Sequence, residues 1–115
     1  MSVKTAEWFS APGLELEHQR IPAEDVLAGN PSTAIHELEG LDGVSVGIWE
    51  MTPGTATDTE AEEVFVVLAG RARIEFLGTG HALDIAAGDV VRLRAGQRTA
   101  WTVTETLRKV YFASE

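Results

Sequence analysis

Residues 54–70 read GTATDTEAEEVFVVLAG, and residues 88–101 read GDVVRLRAGQRTAW. Each stretch places a short run of β-branched and apolar residues between glycines, which is typical of strands bounded by tight turns. Similar runs occupy residues 44–49, 64–68, 72–77, 90–93, 99–104 and 107–112. This regular succession of short strands predicts an all-β barrel or sandwich.

The first stretch resembles the first motif of the cupin superfamily, in which two histidines and a glutamate bind a metal ion. Glu63 stands at the glutamate position, at the motif's distance from Gly70. The two histidine positions fall on or near Thr57 and Thr59. The resemblance therefore keeps the acidic ligand and lacks both imidazoles.

The second stretch resembles the second cupin motif. Gly88, Asp89 and Gly96 match it, while Arg94 replaces a proline and Thr99 replaces the histidine. Three of the four ligand positions are then threonines, whose neutral hydroxyls are poor ligands for a transition metal. We expect no bound metal and no other cofactor. The histidines of the chain, at positions 18, 36 and 81, are too dispersed to change this expectation.

Further residues make the chain similar to the small single-domain cupins grouped with ureidoglycine aminohydrolase domains. They are Trp49, Trp101 and the run RKVY at residues 108–111. The resemblance covers residues 43–113 and implies a cupin-type jelly-roll barrel. We expect one domain, in which residues 43–115 form the barrel and residues 1–42 supply edge strands and connections.

Glu63 is the candidate catalytic residue. The two-residue period of a strand places it on one face with Phe65 and Val67, which points it into the barrel if the cupin register holds. A buried carboxylate without a partner is costly, so it must be hydrogen-bonded or act as an acid or base. The candidate ligand-binding residues around it are Thr57, Thr59, Thr99, Trp101, Trp49 and Tyr111.

Each candidate also has a structural interpretation. Glu63 could be a solvated member of the acidic run at residues 60–63, or could pair with an arginine. Trp101 and Trp49 could be core aromatics. Lys109 shares a face with Tyr111 and could donate to an acidic ligand, but for Lys109 we favour a solubilising role at a strand edge.

Three functions fit this pattern. The leading one is a metal-independent cupin that binds a small polar metabolite in the barrel. The second is a small-molecule enzyme resembling ureidoglycine aminohydrolase, and the third is a degenerate barrel that serves as an interaction module. Fold alone does not choose among them.

Composition narrows the partners and the location. The 115 residues carry a net charge of −9, which argues against nucleic acid or an anionic membrane surface as a partner. There is no cysteine and no apolar run long enough to span a bilayer, so we expect a cytoplasmic protein without disulfides. We expect a homodimer, because Val64, Val66 and Leu68 would point outward from the barrel.

Overall fold

The computed structural model describes residues 6–38 and 40–115. Over these residues the chain is almost entirely β, with one 3-10 turn at Ala23–Asp25, and this confirms the all-β prediction. The nine strands are β1 Gln19–Arg20, β2 Val26–Gly29, β3 Ser32–Glu37, β4 Val44–Met51, β5 Gly54–Thr59, β6 Glu63–Phe76, β7 His81–Ala86, β8 Val90–Leu93 and β9 Arg98–Ser114.

The strands form one curled antiparallel sheet organised around β9. One edge of β9 pairs with β6 along nearly its whole length, and the other edge pairs with β5 and then β4. The outer edge of β6 pairs with β8 and β7. Strands β3, β1 and β2 extend the sheet beyond β4 and β5. The sheet curls, and residues of strands β4 to β9 pack together in one core.

Strands β6 and β9 are each longer than the sequence indicates. The sequence places a break at Gly70, but β6 continues through it with shifts of register against β9. Gly70 has a φ of 92°, and a Cβ there would lie 2.1 Å from the carbonyl oxygen of Thr106. The glycine therefore permits a bulge, in which the strand bends without ending.

The core occupies the concave side of the sheet. Phe65, Ile74, Leu93 and Leu107 are fully buried there, and β6 alternates buried and more exposed residues along most of its length. This alternation is the two-residue period of a strand with one face packed.

The early part of the chain contributes strands to the same sheet. The 3-10 turn leads directly into β2, and β3 follows it in the chain. These strands pair with β4 and β5 of the same chain. No helix within the described ranges has both the length and the apolar character needed to cross a membrane.

The buried side chain of Arg108 binds the N-terminal segment to the convex side of the sheet. The Arg108 guanidinium donates to the carbonyl oxygens of Ala11 and Pro12, and its Nε donates to Glu50 Oε1 over 2.8 Å. His18 Nε2 lies 2.6 Å from the other oxygen of Glu50. Burial acts to raise the pKa of Glu50, but hydrogen bonds from Arg108 and His18 outweigh it and leave that pKa lowered.

Candidate functional site

A cavity of about 540 Å³ opens on the concave side of the sheet. Strands β4, β5, β6 and β9 supply its walls, and residues 19–25 form part of its rim. Its apolar lining includes Trp49, Met51 and Trp101. The charged side chains that line it are Arg20, Asp25, Asp58, Glu60, Glu63 and Lys109.

Lys109 is the central cation of this cavity and is only 5% exposed. Its Nζ donates a hydrogen bond of 2.7 Å to Glu63 Oε1. The same atom lies 4.6, 4.2 and 4.9 Å from the ring centroids of Trp49, Phe65 and Trp101. One carboxylate and three aromatic faces therefore replace the water that an ammonium group normally binds.

The solubilising role predicted for Lys109 is therefore wrong. The strand period places its side chain on the inner face of β9 with Leu107 and Tyr111, and β9 is paired on both edges. Glu63 likewise lines the cavity, and among the described residues its side-chain partner is Lys109 rather than a threonine or an arginine. An ion pair at this depth is held in place because each charge compensates the other.

A second carboxylate, Glu60, lies directly after β5 and is 7% exposed. Its Oε2 accepts a hydrogen bond of 2.6 Å from Thr99 Oγ1 and one of 2.8 Å from Trp101 Nε1. Both donors are neutral and sit on the inner face of β9. Among the described residues, Glu60 is therefore held by neutral donors and has no lysine or arginine within ion-pair distance.

Asp58 lines the cavity beside Glu60. It follows Ala56 on the inner face of β5 and lies opposite Thr99 in the antiparallel pairing with β9. Asp58 retains exposure toward the cavity, yet desolvation by the surrounding protein, followed by the charge of Glu60, raises its pKa.

The predicted ligand-binding residues divide into three groups. Thr57, Trp49, Trp101 and Tyr111 line the cavity together with Glu63. Thr99 is completely buried and contacts the site through its hydrogen bond to Glu60 and through the one that it accepts from Trp101 Nε1. Thr59 is exposed and does not line the cavity.

The sequence reasoning missed three residues of the site: Asp58, Glu60 and Lys109. A slip of one residue in the assumed register explains why Asp58 and Glu60 are missed, since such a slip exchanges the two faces of a strand. Placing Thr59 inward assigns its neighbours Asp58 and Glu60 to the outside. The sequence does offer one signal. Asp58 and Glu60 lie two and four positions after Ala56, so they continue the face of the strand on which this small apolar residue lies.

Tyr111 closes one side of the cavity. A Cβ at Gly47 would lie 2.6 Å from the Tyr111 hydroxyl, so the glycine makes room for this ring. The hydroxyl is buried and makes no hydrogen bond of normal geometry within residues 6–38 and 40–115. Burial, together with the nearby carboxylates Glu37 and Glu63, raises the pKa of Tyr111.

The donor set does not suit the metal ion that a cupin motif implies. Across the part of the chain that the structure describes, no three His, Cys, Asp or Glu side chains converge to hold a metal ion. The carboxylate of Glu63 is instead bound by the Lys109 ammonium. A metal ion bound to Glu63 would meet that positive charge at short range.

The curled antiparallel sheet and its inner cavity define the class of protein as a cupin-type jelly roll. The model of the EutQ-like cupin domain matches residues 38–111, and the chain belongs to this family.

Solved structures agree in fold at low sequence identity. The EutQ protein of Clostridium difficile is similar with a TM-score of 0.69 and 18% identity, over 90% of this chain and 82% of that one. A DUF861 protein of unknown function from Pseudomonas syringae is similar with a TM-score of 0.77 and 20% identity, over 89% of this chain and 45% of that one. The cupin domain of Schizosaccharomyces pombe Cnp3 is similar with a TM-score of 0.66 and 15% identity, over 94% of this chain and 74% of that one. No curated protein sequence matches the chain.

Proposed function

We propose that the chain binds a small polar metabolite in the barrel cavity and does so without a metal ion. The cavity combines aromatic walls with a few charged groups, as small-molecule sites usually do. The observation that carries the proposal is the ion pair between Lys109 and Glu63 at the cavity wall. Burying two charges is costly, and apolar residues would fill a purely structural core at lower cost.

The arrangement favours a binding role for Glu63 over catalysis. One of its oxygens already accepts a short hydrogen bond from an ammonium group. A general base must instead reach the proton that it removes from a substrate. The enzyme resembling ureidoglycine aminohydrolase therefore receives less support than the binding protein.

A thermal-shift screen of polar metabolites tests the proposal. We expect a ligand to stabilise the wild type, since a ligand that binds only the folded state raises its stability. Lys109→Met should lose this shift. Arg73→Met is the matched control, because it removes an exposed ion pair with Asp84. A full shift in Lys109→Met, or near-stoichiometric metal in the purified chain, would contradict the proposal.

We also propose a homodimer formed through an apolar patch on the outer face of the sheet. The patch consists of Val64, Val66, Val90, Val110 and Phe112, which are neighbours in the pairing of β6 with β8 and β9. Val90 is 67% and Phe112 42% exposed. Contiguous apolar surface of this kind is typical of protein contacts.

A further inference from the structure

The charges that line the cavity do not balance. Four carboxylates face two cations, which leaves two negative charges in excess. Lys109 and Glu63 compensate each other directly. The two negative charges in excess lie among Asp25, Asp58 and Glu60, with Arg20 as the remaining cation, and Asp58 and Glu60 are neighbours close enough for the charge of Glu60 to act on Asp58.

Neither of these two acids has a lysine or arginine within ion-pair distance among the residues that the structure describes. Glu60 is more than nine-tenths buried and is held by neutral donors alone. Within residues 6–38 and 40–115, the only hydrogen bond to the Asp58 carboxylate comes from the backbone N–H of Thr59. Two neighbouring carboxylates repel each other when no cation is in contact with them. A cation bound in the cavity beside them relieves that repulsion.

We propose that the ligand of this cavity carries an organic cationic head, an ammonium or guanidinium group, that is bound by the carboxylates of Asp58 and Glu60. The inference rests on the proposed function and adds the chemical class of the ligand. Charge-assisted hydrogen bonds from N–H donors to carboxylates are the strongest that such a site offers. The aromatic rings of Trp49 and Trp101 provide the apolar wall for the rest of the ligand.

The indole N–H of Trp101 reports directly on this site, because it donates to Glu60 Oε2. We would follow it by NMR in the full chain while adding butylammonium, butylguanidinium, butyramide or butyrate, four probes with similar tails and different heads. The indole of Trp8, which is 85% exposed, serves as the internal reference. The two cations should shift the Trp101 signal saturably, and the amide and the carboxylate should not.

Asp58→Asn should weaken binding of butylammonium roughly tenfold or more, as loss of a hydrogen bond to a charged group does. Glu75→Gln is the matched control, since it removes the same charge from an exposed position outside the cavity and should leave the affinity unchanged.

The possible outcomes distinguish a failure of the cationic-head proposal from a failure of the proposed metabolite binding. Binding of butyrate or butyramide as strong as that of the cations would overturn the cationic head and leave metabolite binding in place. If MgCl₂, added as a fifth probe, shifts the Trp101 signal while the organic cations do not, the cationic organic head is also overturned. If none of the probes shifts Trp101, while the metabolite screen finds a ligand whose effect Lys109→Met abolishes, only the cationic assignment fails. Silence in both experiments overturns both proposals.

Discussion

Lys109 on β9 lies with its Nζ 2.7 Å from Glu63 Oε1 on β6, and the two side chains are 6% and 11% exposed. The contact links the two long strands at the wall of the cavity. Because both charges have lost most of their water, each depends on the other for compensation. The same contact therefore contributes to the stability of the sheet and to the chemistry of the site.

Lys109→Met should lower the free energy of unfolding by about 3 kcal/mol, because it leaves the Glu63 carboxylate buried without a cation. Adding Glu63→Gln should recover part of this loss, since the double variant buries no net charge. Chemical denaturation of the wild type, both single variants and the double variant gives the coupling energy. Losses that simply add in the double variant would contradict the pairing.

Much of the fold follows from the sequence, because alternating apolar residues and glycine turns are local signals. The inner position of Ile74 in β6 is one example. The continuity of β6 through Gly70 is not local, since it depends on how closely Thr106 approaches from β9.

The site was less accessible to sequence reasoning for two physical reasons. Motif spacing alone places Thr59 inward, whereas a strand's facing is fixed by its partner, here through the pairing of Asp58 with Thr99. For Lys109 the surface is the default expectation, because isolated lysines usually lie there. Its burial depends on an anion 46 positions away, which no local pattern reveals.

Glu50→Gln should destabilise the protein at neutral pH by about 3 kcal/mol, because it removes the anion that Arg108 holds in a buried contact. The pKa of Glu50 is lowered on folding, so its contribution is present above the ordinary value of 4.5. That contribution is lost as the pH falls through the folded pKa. Denaturation curves of variant and wild type should therefore converge in acid. A difference that persists unchanged at low pH would contradict the role of the ionised group.

Asp58→Asn should leave stability at pH 7 unchanged or increased. The pKa of Asp58 is raised on folding, first by desolvation and then by the charge of Glu60. Ionising the group as the pH rises through the folded pKa therefore costs stability, and the neutral amide avoids that cost. The advantage should vanish below the ordinary value of 3.8. Denaturation as a function of pH measures it, and a clear loss of stability at pH 7 would show that Asp58 is a paired structural anion.

Val66→Glu should weaken the proposed homodimer. Val66 pairs with Val90 on β8 and with Val110 on β9, at the centre of the outer patch. A charge buried there without a partner opposes association. Leu83→Glu on β7, where the residue is 40% exposed, is the control for adding a charge to an exposed strand. Sedimentation of the wild type as a monomer at micromolar concentration would remove the dimer.

Gly70→Ala should destabilise the fold more than Gly78→Ala does. Both glycines have positive φ, 92° and 81°, so alanine pays a similar backbone cost at each. Nothing lies within 4 Å of a Cβ at Gly78, whereas a Cβ at Gly70 would meet the carbonyl oxygen of Thr106 at 2.1 Å. The pair of variants therefore separates the cost of the close approach from that of the dihedral angle. We expect Gly78→Ala to cost about 1 kcal/mol and Gly70→Ala several times more, measured by chemical denaturation. Equal losses would mean that β6 and β9 are less closely apposed at the bulge than the structure shows.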